Sequence, residues 1–369
     1  MMDMKKLEEG IGRTGFHLEQ QVASTLRKAG WSVISNRYYV DDQENAVREM
    51  DMVAYQVKDV LGLQVYTTLI ISCKKSDKNV WALLSRDRER DDPNVDWSPT
   101  HIWSNDRALA FATSQSSWPE QYYARTRELG VQRVSSEPEV DIFAYQEMNR
   151  ESGAPQNDKP IFASVTSLMK AQSYEIEALP QRKKTPSIYQ FNLIAVVDAD
   201  LVRAHFDGAR VVASEIVDEL YVARYLIKRR ETSARIHFVN VDEFAKLLKD
   251  YRRLHLANAL VFREARDVFY KDILSDRQRI AVFESDFSAA VLGPINSRLR
   301  QSTKKFAEID SISASFDKQS NTASVLIDAL DGAEEYLEAD LHARRWVASA
   351  LKKIYRYEGP FRFAWNVPF

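Results

Sequence analysis

The chain has 369 residues, of which 45% are hydrophobic and 28% are charged. This length exceeds what one hydrophobic core commonly supports, so the composition predicts two or three folded domains and excludes a long disordered chain. The net charge of -2 excludes a histone-like protein that coats DNA by bulk charge. A single cysteine excludes an intramolecular disulfide, and the absence of a long apolar run indicates a soluble, cytoplasmic protein with no membrane partner.

The first strongly patterned segment is an amphipathic helix that begins near residue 15. Leu18, Val22 and Leu26 recur every four residues, which places them on one helix face, and Gly30 ends the segment. Glu19 adjoins this apolar stripe. We expect its carboxylate to point into a site, although a charged residue here also fits an ordinary solvated helix face.

Two strands of opposite charge follow this helix. The first carries Glu49 and Asp51, which lie two residues apart and therefore on one strand face. The second is an apolar run that ends in Lys74. A carboxylate can hold Mg²⁺ while an ammonium beside it stabilises an attacked phosphate, as metal-dependent phosphodiester hydrolysis requires. Each charge alone also fits a solvated strand end, but their order and spacing together predict a site at Asp51 and Lys74.

The order of a helix with Glu, a strand with Asp and a strand ending in x-x-Lys resembles the PD-(D/E)XK nuclease superfamily, and within it the Mrr-like restriction-endonuclease-like proteins. The likeness covers roughly the first 135 residues. It implies an α/β fold in which residues 1–148 form a restriction-endonuclease-like mixed-sheet core with helices on both faces. It also implies a fourth strand at Leu109–Ser114 and a second covering helix at Trp118–Leu129. The segments that carry the likeness are Trp31–Ile34, Glu49–Ala54 and Leu69–Lys74.

The resemblance also implies the chemistry of the site. It assigns Mg²⁺, for which Mn²⁺ is an expected substitute, to four groups: Asp51, Glu19, Glu49 and the Cys73 carbonyl. It places Lys74 beside the attacked phosphate. The family usually has Glu or Gln where this chain has Ser72, and a hydroxyl is a poorer Mg²⁺ ligand than a carboxylate. Glu49 or Glu19 would then supply the missing negative charge.

Two functions from different classes follow. The first is a metal-dependent endonuclease that acts on DNA, with RNA as the alternative substrate, and by analogy a component of a prokaryotic antiviral defence system. The second is a weak or inactive nuclease fold that binds nucleic acid or protein, and Ser72 favours it. Convergence of the carboxylates on Lys74 would support catalysis. The Cys73 side chain fits a small buried apolar residue better than a nucleophilic thiol.

The rest of the chain divides after a polar loop at residues 149–160. Residues 161–249 are predicted as an α+β region and residues 250–369 as a mainly helical region, through which a homodimer or a partner protein would bind. The helix and strands of the middle region repeat the order of the first module, which raises the alternative of a degenerate second core. An acidic cluster there favours turn capping over a second metal site: Asp198, Asp200 and Asp207.

Smaller signals complete the sequence. The aromatic tail from Tyr357 onward is apolar enough to dock, by default on its own chain. No phosphate-loop, dinucleotide-binding, serine-hydrolase or zinc motif is present. Short basic segments each fit a solvated loop or strand end: Arg86–Arg90, Gln181–Lys184, Lys228–Arg230 and Arg252–Arg253.

Overall fold

The computed structural model describes residues 3–41, 46–302, 306–328 and 332–365. The chain divides into two compact units, Met1–Asp106 with Gln115–Arg263 and Arg107–Ser114 with Glu264–Phe369. The helices in the described residues are α1 (Met4–Gly12), α2 (Gly15–Lys28), α3 (Arg107–Thr113), α4 (Trp118–Glu128), α5 (Lys159–Arg182), α6 (Val241–Tyr270), α7 (Arg277–Ala281), α8 (Glu284–Gln301), α9 (Ala333–Ala339) and α10 (Leu341–Tyr355). The strands are β1 (Ser32–Val40), β2 (Val47–Val60), β3 (Leu63–Lys75), β4 (Asn79–Arg86), β5 (Ile102–Ser104), β6 (Asp141–Asn149), β7 (Ser187–Asp198), β8 (Leu201–Asp207), β9 (Arg210–Ile216), β10 (Asp218–Ile227), β11 (Arg230–Asn240), β12 (Ile312–Asp317), β13 (Thr322–Ile327) and β14 (Phe361–Trp365).

The first unit is built on a mixed sheet with the strand order β1-β2-β3-β7-β11-β10, and β5 pairs with β7. β1, β2 and β3 are antiparallel to one another, whereas β7 runs parallel to both β3 and β11. A second sheet has the order β6-β4-β8-β9. The predicted mixed α/β class is therefore confirmed. Around β3 the chain forms α2 and the three antiparallel strands β1, β2 and β3, and α5 and β7 follow only after β4, β5, α3, α4 and β6.

The helix predicted near residue 15 is α2, and its apolar face is buried as expected. Leu18, Val22 and Leu26 are each almost fully buried, and α2 packs against β1, β2 and β3. Gly30 follows the helix with a φ of +82°, a left-handed conformation that costs glycine little. A helix forms at Trp118–Glu128 (α4) as predicted, and Gly130 follows it with a φ of +82°, but the second helix that covers the main sheet is α5 and not α4.

The predicted fourth strand at Leu109–Ser114 is wrong. Residues 109–113 belong to the helix α3, and Ser114 follows it in a turn; both lie in the second unit. The strand beside β3 is β7, paired in parallel from Gln64 and Ser187 to Lys75 and Asp198, and the helix that precedes it and packs on both strands is α5. A short alternation of alanines with larger apolar residues suits a helix as well as a strand, so the pattern alone did not decide between them.

The predicted division at residues 149–160 falls inside the first unit rather than between units. β7, β11 and β10 of the middle region extend the sheet that β1, β2 and β3 begin. A parallel strand pair needs a long crossover connection, and the segment between β3 and β7 provides it. The middle region therefore completes the first core and is not a second copy of it.

The face of the main sheet covered by α5 carries a continuous apolar core. Val53, Ile70 and Phe191 from three strands pack in one cluster with Val165 and Leu168 of α5. Full burial of such side chains contributes roughly 1.5–3 kcal/mol each to the free energy of folding. The packing fixes α5 against the strands whose ends carry the candidate site.

A buried polar network links β3 to α4 and α6 within the first unit. The Tyr122 hydroxyl donates to the Asn258 carbonyl oxygen at 2.7 Å, and the Asn258 amide donates to the Thr67 hydroxyl at 2.8 Å. The Thr67 oxygen already accepts that bond, so its own proton is free for His255 Nδ1, 3.1 Å away. The buried His255 ring is thereby held within the network through Nδ1.

This network predicts a loss of stability in mild acid. Burial, helped by the positive charge of Lys58, lowers the pKa of His255 from 6.5 to about 4. Between pH 6.5 and pH 4 this histidine is protonated in the unfolded chain but neutral in the folded protein. The free energy of unfolding therefore falls as the pH drops from 6.5 to 4. The expected loss attributable to His255 is about 2 kcal/mol at pH 5. Urea unfolding at pH 7 and pH 5 measures it.

Two variants isolate the contribution of this histidine. His255→Gln keeps an acceptor for Thr67 but cannot titrate, so it should flatten the pH dependence by that amount. His17→Gln changes an exposed histidine and should leave the slope unaltered. An identical slope in the wild type and in His255→Gln would contradict the prediction.

The second unit combines helices with a three-stranded sheet of order β12-β13-β14, so the predicted mainly helical C-terminal region is better described as α+β. The aromatic tail docks on its own chain, because Phe361–Trp365 forms β14 and pairs in parallel with β13. The tail residues 366–369 lie outside the described residues. Two consecutive helices, α9 and α10, precede the tail, and Asp340 caps α10 by accepting the N–H groups of His342 and Ala343.

No helix in the described ranges is both long and apolar enough to cross a bilayer.

Candidate functional site

Asp51 and Lys74 meet where β2 and β3 separate. The antiparallel pairing of these strands ends at Met52 and Ile71, one residue short of Asp51. Asp51 Oδ2 accepts the backbone N–H of Cys73 at 2.6 Å, and Lys74 Nζ lies 3.6 Å from the same oxygen. The Lys74 ammonium also donates to the Cys73 carbonyl at 3.3 Å. The diverging strand ends thus form one compact carboxylate–ammonium group.

Three carboxylates share the electrostatic field of this group. Burial raises the pKa of Glu19, the negative charges of Asp51 and Glu49 raise it further, and the Lys74 ammonium opposes them. Three carboxylates against one ammonium leave two negative charges in excess. This charge balance favours a divalent cation.

Glu49 does not contact Lys74. Its Oε1 instead accepts a hydrogen bond from Asn36 Nδ2 at 2.7 Å. Asn36 lies on β1 opposite Asp51 and has a φ of +53°, a left-handed conformation that asparagine adopts more readily than other side chains. The sequence analysis missed Asn36. An asparagine in the middle of the segment Ser32–Val40 was the signal that could have found it, since asparagine is uncommon inside strands.

The side chains of Ser72 and Cys73 are both buried. Ser72 is 3% exposed, and its buried hydroxyl has no hydrogen-bond partner in the described part of the chain. Burial, followed by the charges of Asp51 and Glu19, raises the pKa of the Cys73 thiol well above its ordinary value. A protonated, buried thiol is a poor nucleophile. Only the backbone of Cys73 takes part in the site.

The burial of Ser72 predicts that its hydroxyl contributes nothing to metal binding. Ser72→Ala removes a buried, unpaired polar group, so the free energy of unfolding should stay the same or rise slightly. The rate of metal-dependent cleavage should remain within about twofold of the wild-type rate. A tenfold loss would mean that about 1.4 kcal/mol of transition-state stabilisation had been removed, which a hydroxyl outside the site does not supply. A cleavage assay beside urea unfolding tests both expectations. A tenfold loss of cleavage in a stably folded Ser72→Ala protein would place the hydroxyl in the site.

The predicted four-group metal shell is not assembled. Among the described residues, no three His, Cys, Asp or Glu side chains are placed to hold one metal ion. Mg²⁺ often keeps several waters and binds through only one or two carboxylates. The Asp51 carboxylate and the Cys73 carbonyl are neighbouring oxygen donors, both within reach of Lys74. This donor set fits a hydrated Mg²⁺ that is held on one side by protein, and it does not form a closed cage.

A second ion pair of similar geometry lies next to the first. Lys75 Nζ is 3.1 Å from Asp198 Oδ2 across β3 and β7. Asp200 pairs with Arg150 at 3.1 Å. These two carboxylates of the predicted acidic cluster are therefore each paired with a cation, and within the part of the chain that the structure describes they do not join Asp207 or other acidic side chains in a group that could hold a second metal.

The fold also assembles a serine–histidine–aspartate arrangement that the sequence did not reveal. Ser85 Oγ lies 3.3 Å from His205 Nδ1, and His205 Nε2 lies 3.4 Å from Asp87. A nucleophilic serine must reach the substrate. Ser85 is 0% exposed, so a carbonyl carbon cannot approach its hydroxyl. The arrangement holds β4 to β8 and is not a hydrolase site.

No protein-family model, curated protein or solved structure matches this chain. The geometry at Asp51 and Lys74, and the order of elements that positions it, therefore carry the functional conclusion.

Proposed function

We propose that this chain is a metal-dependent nuclease that hydrolyses phosphodiester bonds, first of all in DNA, with RNA as the alternative substrate. The observation that carries the proposal is the contact of one Asp51 oxygen with both the Lys74 ammonium and the backbone of Cys73 where β2 and β3 diverge. The elements α2, β1, β2 and β3, joined by α5 and β7 after five intervening elements, support a restriction-endonuclease-like core, because α5 and β7 take the places of the second covering helix and the fourth strand that the resemblance implies.

The site residues would have two roles, which are to bind the metal ion and to stabilise the negative charge of the phosphate. Asp51 and the Cys73 carbonyl would hold Mg²⁺, which when bound lowers the pKa of a coordinated water and polarises the phosphate. The Lys74 ammonium has three N–H donors and gives one to the Cys73 carbonyl, so further donors remain for a phosphate oxygen. Glu19 lies close enough to Asp51 for their charges to interact, and its negative charge, when ionised, would strengthen the attraction for a cation.

Cleavage of supercoiled plasmid and of end-labelled DNA and RNA strands tests the proposal directly. The full chain should nick plasmid in Mg²⁺ or Mn²⁺, and this cleavage should stop when EDTA removes the metal. Absence of cleavage of every substrate, in either metal and with folded protein, would overturn it. The ratio of nicked to linear product would also report on the predicted homodimer, since two coordinated sites cut both strands together. The predicted role in prokaryotic defence stays a prediction.

The second candidate function is a nuclease fold that binds nucleic acid or protein without cutting. Two observations favour it. Glu49 is hydrogen-bonded to Asn36, so the carboxylates do not converge on Lys74. The residue that stands where the family usually has an acid or amide, Ser72, is buried. A gel-shift assay with DNA and RNA, run in EDTA beside the cleavage assay, separates the two functions. Retained binding without metal-dependent cleavage would support the binding module.

A further inference from the structure

A cavity of about 190 Å³ lies between α5 and the main sheet of the first unit, apart from Asp51 and Lys74. Its inner wall consists of buried side chains from β2, β3, β7 and α5, and the more exposed residues at its mouth come from β1 and from the end of α5. The basic segment Gln181–Lys184 contributes two of its residues to this mouth. The cavity therefore has an interior and a rim of different chemistry.

The interior is aromatic and contains one unpaired hydroxyl. The rings of Tyr66 and Tyr189 stack at 4.1 Å, and Phe191 stacks beside Tyr189 at 6.1 Å. Thr68 lines the same wall and is 3% exposed, and its buried Oγ1 has no hydrogen-bond partner in the described ranges. Buried hydroxyls are almost always paired. A rotation of Thr68 about χ1 would turn this hydroxyl towards the cavity, where a polar atom of a ligand would satisfy it.

The rim is cationic. Arg37 and Arg182 each lie 3.0 Å from a different oxygen of Glu175, so one buried carboxylate orients both guanidinium groups. Lys183 Nζ donates to the Tyr66 hydroxyl at 2.8 Å and lies 4.5 Å from the centre of that ring. Three cations against one carboxylate leave two positive charges in excess. Guanidinium and ammonium groups at a pocket mouth suit a phosphate.

We propose that this cavity binds a single pyrimidine nucleotide, with the ring in the aromatic interior beside Thr68 and the phosphate on Arg37, Arg182 and Lys183. An apolar cavity of about 150 Å³ accepts benzene. A cavity of about 190 Å³ therefore accepts one six-membered ring with its substituents, and it leaves less room around the larger fused ring of a purine. The ring heteroatoms and carbonyls of a pyrimidine supply the partner that the Thr68 hydroxyl lacks.

This inference deepens the proposed nuclease function and rests on it for the source of the nucleotide. Val53 of the cavity wall lies two residues from Asp51 on the same face of β2, about 7 Å along the strand. A nucleotide turned out of a bound strand would reach the cavity near the candidate site. A free nucleotide has the same chemistry and is the other source.

Titration calorimetry of the full chain in EDTA tests the cavity independently of cleavage. UMP and CMP should bind, AMP should bind at least about tenfold more weakly because of its larger ring, and uridine should bind more weakly because it lacks phosphate. Arg182→Gln and Thr68→Val should each weaken UMP binding, the first by about tenfold or more, since a charge-assisted hydrogen bond is lost. Arg252→Gln changes an exposed arginine on α6 and should leave the affinity unchanged.

The result that would overturn the proposal is the absence of UMP binding to folded wild-type protein at millimolar concentration, or equal affinities for UMP and AMP, or UMP affinity unaltered in both cavity variants. Circular dichroism establishes whether each variant is folded. If Thr68→Val does not fold, Arg182→Gln alone tests the cavity. Asp51→Asn should bind UMP normally, so a failed nuclease and a failed cavity give different results. The source of the nucleotide is tested with two oligothymidines, one intact and one with a single abasic position. Tighter binding of the intact strand would show that the cavity takes a nucleotide turned out of a strand. Equal binding of the two strands would show that it takes a free nucleotide.

Discussion

Asp51→Asn is expected to abolish metal-dependent cleavage, with a loss of at least about a hundredfold, while the protein stays folded. Removal of one preorganised electrostatic contact commonly costs a factor of 10² to 10³ in rate. The asparagine carbonyl oxygen can still accept the Cys73 N–H that Asp51 accepts at 2.6 Å, so the strand ends keep their geometry. What is lost is the negative charge that holds the cation. Single-turnover cleavage of labelled DNA measures the rate.

The neighbouring lysines give this experiment a matched control. Lys74 pairs with Asp51 at 3.6 Å, and Lys75 pairs with Asp198 at 3.1 Å, but successive residues of a strand point to opposite faces. Lys74→Met should therefore reduce cleavage as strongly as Asp51→Asn, whereas Lys75→Met and Asp198→Asn should cut normally. Equal effects of Lys74→Met and Lys75→Met would show that the measured loss reflects the strand end and not a reaction site.

Asn258→Leu is expected to destabilise the first unit by roughly 2–5 kcal/mol, the largest stability effect predicted for a single substitution in this protein. Asn258 is 0% exposed and hydrogen-bonds to Tyr122, Thr67 and Gln190. Leucine has a similar volume but leaves these buried polar groups without a partner, and each such group costs about 1–3 kcal/mol. Native-state hydrogen exchange of peptides from β3 and from the first-unit part of α6 measures the loss locally.

A double-mutant cycle shows whether the network or the packing is responsible. Tyr122→Phe removes one hydroxyl and should cost less than Asn258→Leu. The two changes together should cost less than their sum, because the Tyr122 hydroxyl no longer needs Asn258 once it is absent. Strict additivity, or a cost below about 1 kcal/mol for Asn258→Leu, would mean that the hydrogen bonds contribute little.

Local pattern predicted several elements well, and it misplaced one. The four-residue spacing of Leu18, Val22 and Leu26 gave α2 with the correct buried face. The alternation at residues 109–114 suited a helix as well as a strand, and the helix is what forms. The order of charged residues on β2 and β3 located Asp51 and Lys74, because antiparallel neighbours joined by a short turn bring their far ends together.

By itself, then, the sequence determined the mixed α/β class, the burial of α2 and the meeting of an acidic strand with a lysine-ended strand, all of which depend on residues close together in the chain. Only the tertiary structure decided three further relations. β7 pairs with β3, and Glu49 is hydrogen-bonded to Asn36 and does not contact Lys74. Thr68 and Arg182 line one cavity. These relations join residues that are distant along the chain or depend on one residue's backbone conformation. Side-chain periodicity reports which face of an element is buried but not which distant element covers it.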